Sequence, residues 1–109
     1  IPNTCASAIH SLKDIKNITY LTVHMNGGYE MINAIKKAAK KYNIGLKESF
    51  LIGDRASDIE AGLKAGCRTI FLDRKYKEPK PVNQEKTFFS INSATAYIIN
   101  HGQSARVWF

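Results

Sequence analysis

Phe50-Leu51-Ile52-Gly53-Asp54-Arg55-Ala56-Ser57-Asp58 passes from a wholly apolar run, through a glycine, to two carboxylates four positions apart. An apolar run this short, closed by a glycine, is predicted to be a strand buried on both faces, as in a parallel sheet. A helix follows at once. Ser57-Asp58-Ile59-Glu60 has the pattern of a capping box, with Ser57 accepting from the Glu60 amide and the Glu60 carboxylate reaching back. Ile59 and Leu63 are then expected to face the core, and Gly66 to end the helix. Gly62 inside that helix costs about 1 kcal/mol relative to alanine, a cost that close packing on a neighbouring strand would explain.

Upstream, Met31, Ile32, Ile35, Ala38, Ala39 and Tyr42 recur at three- and four-residue spacing, with lysines opposite. This predicts a helix over 29–43, stopped by Asn43 and Gly45. Asn26-Gly27-Gly28 breaks the chain before it. The β-branched run 18–23 reads as a strand, and 6–14 as a short helix. Downstream, Thr69-Ile70-Phe71-Leu72 is a second short apolar strand, and 73–86 is a polar loop holding Pro79 and Pro81. Thr87-Phe88-Phe89 reads as a further strand. Asn92 or Ser93 caps a last helix through Tyr97, Ile98 and Ile99, closed by Gly102. Val107-Trp108-Phe109 fits an edge strand, a docked end or an interface alike.

Strand and helix therefore alternate three times. That rhythm predicts an α/β fold, an open parallel sheet with helices on both faces and right-handed crossovers. Ligands in such sheets sit beyond the carboxyl ends of the strands, where Gly53, Asp54 and Arg55 lie.

Bulk properties narrow the function classes. The chain has 109 residues, enough for one small domain and not two. Its 44% hydrophobic and 23% charged content is that of a folded globular protein. There is no run of roughly 18 apolar residues to cross a membrane, and the first residues do not read as a secretory signal. The net charge of +7 points to an acidic partner or simply to solvated lysine faces. The lysines are spread out and no aromatic residues interleave with them to stack bases, so a nucleic-acid partner rests on net charge alone. Cys5 and Cys67 do not make a disulfide framework, and a reducing, cytoplasmic setting is the expectation. Cys67 fits a buried, inert thiol.

Asp54 should project from a strand tip and Asp58 should lie in the first helical turn beside it. Two carboxylates converging there suit Mg²⁺, which takes one or two carboxylates and keeps several waters. Arg55 offers a planar fork to a substrate phosphate. The same residues also fit a plainer role, one as a helix cap and the other as a partner of the helix dipole.

Gly53-Asp54-x-x-x-Asp58 resembles the fourth motif of the haloacid dehalogenase-like (HAD) phosphatases. The flanking words are Lys41-Tyr42-Asn43-Ile44, Asp58-Ile59-Glu60-Ala61-Gly62 and Ala65-Gly66-Cys67-Arg68-Thr69-Ile70-Phe71-Leu72. They resemble the histidinol-phosphate phosphatase-like branch, and within it the heptose bisphosphate phosphatases, from Met31 to Asn100. The resemblance implies a Rossmann-like, three-layer HAD fold, here one partial domain truncated at its N-terminus. It also implies Mg²⁺-dependent hydrolysis of a sugar phosphate through an aspartyl-phosphate. Asp54 would then be the direct or near-direct magnesium ligand, Asp58 would act through water or support the site, and Arg55 would be a substrate contact.

The departures are as plain. The four aspartates, Asp14, Asp54, Asp58 and Asp73, include no Asp-x-Asp, so no catalytic nucleophile is identified. Thr19 or Thr22 corresponds only loosely to the second motif. Asn26-Gly27 stands where the third motif has Lys-Pro. The branch's zinc loop is missing, since Cys5, His10 and His24 lack ligand spacing. Two functions follow from this: a phosphatase domain inactive alone, or a non-catalytic HAD-like module that associates with another chain through an open sheet edge.

Overall fold

The computed structural model describes residues 19–21, 28–101 and 106–108. They run as β1 Thr19–Leu21, α1 Gly28–Tyr42, a 3-10 turn Leu46–Glu48, β2 Ser49–Gly53, α2 Ala56–Ala65, β3 Arg68–Leu72, β4 Lys86–Phe88, α3 Ile91–His101 and β5 Arg106–Trp108. The five strands pair in parallel, in the spatial order β1-β5-β2-β3-β4. The expected short helix at 6–14, Cys5, His10, Thr22, His24, Gly102 and Phe109 lie outside the described residues.

β2 is buried along all five residues, as its unbroken apolar run requires of a strand covered on both sides. Successive side chains point to opposite faces. Phe50 and Ile52 pack with Ile70, Leu72, Ala94, Ile98 and Val107 on the α3 side. Leu51 packs with Met31, Ile35, Ala61, Ala65 and Cys67 on the side of α1 and α2. The result is three layers around a parallel sheet, the α/β architecture expected from the sequence.

α1 buries Met31, Ile32, Ile35 and Ala39, as its periodicity predicts. Tyr42 departs from the pattern and is 60% exposed. The helix ends at it, Asn43 turns the chain through a left-handed φ of 54°, and Ile44 and Leu46 pack against the core instead. Gly45 precedes the 3-10 turn in an extended conformation, so Asn43 supplies the left-handed stop.

α2 departs from its expected inner face. Leu63 is 40% exposed, while Ile59, Ala61, Gly62 and Ala65 are buried. The cause is close approach: a methyl placed on Gly62 would lie 2.9 Å from Thr69 Cγ2 and 3.2 Å from Leu51 Cβ. With the helix that near the sheet at Gly62, no side chain fits at that point, while Ile59 one turn earlier is buried as expected. Gly66 ends the helix at φ 93°, a conformation that glycine adopts without strain.

The last helix starts earlier than expected. Ser90, rather than Asn92 or Ser93, supplies the cap, its Oγ accepting from the Ser93 amide at 3.2 Å. Val107 is fully buried within β5. Val107 and Trp108 of the apolar tail thus lie in an inner strand, with Val107 opposite Tyr20 on one side and Phe50 on the other. Among the described residues no helix is long and apolar enough to cross a membrane.

Candidate metal site

β2 delivers the chain to the sheet's carboxyl edge at Gly53, and α2 begins three residues later. Arg55 caps the helix in extended backbone, its carbonyl accepting from the amides of Asp58 and Ile59. Asp58 lies in the first turn, directly over Gly53. A methyl on Gly53 would fall 2.4 Å from Asp58 Cβ and 3.1 Å from its Cγ. Glycine is required here by the space that Asp58 fills.

The structure brings Asp54 and Asp58 together. Burial raises the Asp58 pKa most, and the neighbouring Asp54 carboxylate raises it further. The nearby backbone amides of Arg55 and Asp54 favour the charged Asp58 carboxylate and pull the other way. The Ser57–Glu60 capping box read from the sequence does not form. Ser57 does not precede the helix but sits inside it, and Glu60 instead pairs with Lys64 at 2.8 Å.

Arg55 lies beside them with its side chain half exposed, and its Nη1 donates to Glu78 Oε2 at 2.9 Å. Its guanidinium also sits 4.8 Å from the centre of the Tyr76 ring. The Tyr76 hydroxyl donates to Asp54 Oδ2 at 3.0 Å. A small cleft here is lined by Asp54, Phe71, Asp73, Tyr76, Glu78 and Lys80, among others. Asp73 ends β3 on the same edge. It is buried, bridges to Lys80 Nζ at 2.9 Å and is held below the usual carboxylate range mainly by that lysine.

Tyr76, Glu78, Asp73 and Lys80 were not legible as site residues, because 73–86 read only as a polar loop. The signal available was position. A loop leaving β3 starts at the same edge as Asp54, because neighbouring parallel strands end together.

The donor chemistry fits a hard divalent cation. Two carboxylates supply oxygen only, and a cation between them would relieve the repulsion that raises the Asp58 pKa. Among the described residues no group of three or more His, Cys, Asp or Glu side chains gathers to hold a metal. Magnesium, which keeps several waters, needs no such group. Cys67 takes no part: it is buried, and burial pushes its thiol up to about 12.

The HAD-hydrolase-like family model matches residues 33–99, which include β2, α2, β3 and every residue named above at the cleft. The chain is also similar to the D-glycero-alpha-D-manno-heptose-1,7-bisphosphate 7-phosphatase of Photorhabdus laumondii subsp. laumondii, with 53% identity over 38 residues. That stretch is 35% of this chain and 21% of the phosphatase, so the match spans about a fifth of that relative's length. No solved structure matches. The matched span holds the whole of the Gly53–Asp58 turn and the strands β2, β3 and β4, and the chain belongs to the HAD-hydrolase-like family.

Proposed function

We propose that this chain carries the magnesium-binding part of a HAD-type phosphatase acting on a phosphorylated sugar, of which the heptose bisphosphate is the first candidate. The observation that supports it best is the packing of Asp58 over Gly53, which sets its carboxyl beside that of Asp54 at a strand end. Asp54 is the direct ligand in this reading. Asp58, more buried in the first turn of α2, supports the site or acts through water. The cation supplies neutralisation of the phosphoryl oxygens as charge shifts in the transition state. Arg55 swings from Glu78 to a substrate phosphate, which its planar fork matches better than a single carboxylate oxygen. A reducing, cytoplasmic setting belongs to the same proposal.

The residues of this chain bind and orient; they do not supply the attack. No Asp-x-Asp is present to form an aspartyl-phosphate, and Asn26-Gly27 leaves the third motif without its lysine. The chain alone is therefore expected to bind and to turn over little or nothing. The association reading loses one support, since Val107 of the apolar tail is enclosed by its own sheet.

Calorimetry with a sugar bisphosphate, with and without Mg²⁺, tests this. Binding should require Mg²⁺, and Arg55→Ala should weaken it by about tenfold, the order of one charge-assisted hydrogen bond. Phosphate release should stay at background. Binding indifferent to Mg²⁺ would count against the metal reading. Release abolished by Asp54→Asn would show that another group attacks.

A further inference from the structure

The loop between β3 and β4 closes on two of the residues that the proposed function needs, Asp54 and Arg55. Tyr76 bonds the Asp54 carboxylate at 3.0 Å, and Glu78 bonds Arg55 at 2.9 Å. Arg55 also lies over the Tyr76 ring. Three contacts therefore join two neighbouring positions at the sheet edge to two positions in one short segment. The Glu78 amide donates to the Tyr76 carbonyl at 3.0 Å, so the segment forms a tight bend with both side chains turned to the site.

The ends of this loop are fastened independently of its tip. The Asp73 amide donates to the Phe88 carbonyl at 2.8 Å, and the Glu85 amide to the Thr69 carbonyl at 2.9 Å. The Asp73 carboxylate accepts from the Lys75 amide and from Lys80 Nζ, both at 2.9 Å. Lys75 turns the chain through a left-handed φ of 64° just before the tip. The tip contacts are of another kind. Tyr76 is 41% exposed and the Arg55 side chain 55%, and hydrogen bonds and ion pairs that exposed are weak and readily exchanged. A firmly held base with a weakly held tip is the arrangement of a segment that can lift without unfolding its surroundings.

We propose that residues 74–79 are a strap that rests on Asp54 and Arg55 and must be released before a divalent cation or a phosphate can take those groups. This rests on the metal reading of Asp54 given above. A cation on Asp54 and the Tyr76 hydroxyl compete for the same carboxylate. A phosphate on Arg55 and the Glu78 carboxylate compete for the same guanidinium. Filling the site and lifting the strap are then one event, and Tyr76 weakens cation binding in the resting chain instead of assisting it.

The test is titration of Mn²⁺ into the wild-type chain and into Tyr76→Phe, which keeps the ring over Arg55 and deletes only the hydroxyl. The variant should bind Mn²⁺ more tightly by about two- to tenfold, the range of one net hydrogen bond. Trypsin supplies a readout without metal. Cleavage after Lys75 and Lys77 should quicken in Tyr76→Phe, and further in Tyr76→Phe/Glu78→Gln, relative to cleavage in α1. Mn²⁺ binding that Tyr76→Phe leaves unchanged or weakens overturns the strap while the metal reading stands. Absence of Mn²⁺ binding in both proteins overturns the metal reading and the strap with it. Unchanged cleavage in the double variant overturns the strap on its own.

Discussion

Val107→Asp is expected to leave the chain unfolded, as read by far-ultraviolet circular dichroism and by loss of a cooperative denaturant transition. Val107 has no exposed surface. It sits in β5 between β1 and β2, opposite Tyr20 and Phe50, and packs with Phe50, Ile52, Ile70 and Ile98. An aspartate there loses the apolar contacts and brings a carboxyl group with no partner. An uncompensated charge in such a place costs about 3–5 kcal/mol, and the lost packing adds to it. Small domains have only about 5–15 kcal/mol in total. The strand is also the join between β1 and the rest of the sheet, so a local failure there spreads. A Val107→Asp chain that melts as cooperatively as the wild type would mean that the C-terminal segment is not an inner strand.

Gly53→Ala is expected to damage the site more than the small size of the change suggests. The added methyl would stand 2.4 Å from Asp58 Cβ, a distance that no relaxed pair of carbons occupies. Asp58 Cβ is fixed to the helix backbone and is not the free end of a side chain. The start of α2 must therefore move, carrying Asp58 away from Asp54. Overpacking of this kind costs about 1–3 kcal/mol, and Mn²⁺ affinity should fall by at least about tenfold as the paired carboxylates separate. The double variant Gly53→Ala/Asp58→Gly removes the opposing carbon and should be barely less stable than Asp58→Gly alone. That non-additivity is the signature of direct contact. Additive losses would show that the two positions do not touch.

The legibility of this fold follows a physical rule. β2 and β3 could be read because an apolar run covered on both faces has no polar alternation to obscure it. α1 could be read because a helix at the surface must segregate its faces, and Met31, Ile35 and Ala39 do so. β5 could not, since three residues make a strand only through partners about sixty and ninety positions away, such as Leu51 and Leu21 opposite Trp108. The misreading of Leu63 had a local cause. Periodicity assigns Leu63 to the core beside Ile59, whereas α2 turns Ala61, Gly62 and Ala65 inward and brings Gly62 so close to Leu51 and Thr69 that no side chain fits there.

The site divides in the same way. The proximity of Asp54, Arg55 and Asp58 was legible because a strand end, a glycine and a first helical turn fix their mutual positions within six residues of sequence. Tyr76 and Glu78 were not, because their approach to Asp54 and Arg55 depends on how a polar loop folds back over more than twenty positions. Loop composition sets turns, such as the bend of Lys75 onto Asp73, and leaves open what the tip will meet.

The most direct test of the paired-carboxylate account is Mg²⁺ titration of the wild-type chain against Asp54→Asn, followed by the chemical shifts of the two aspartate side chains. A single site per chain that perturbs both Asp54 and Asp58, and that Asp54→Asn abolishes, is the predicted result. Equal Mg²⁺ binding by the two proteins, or shifts confined to residues elsewhere on the surface, would contradict it.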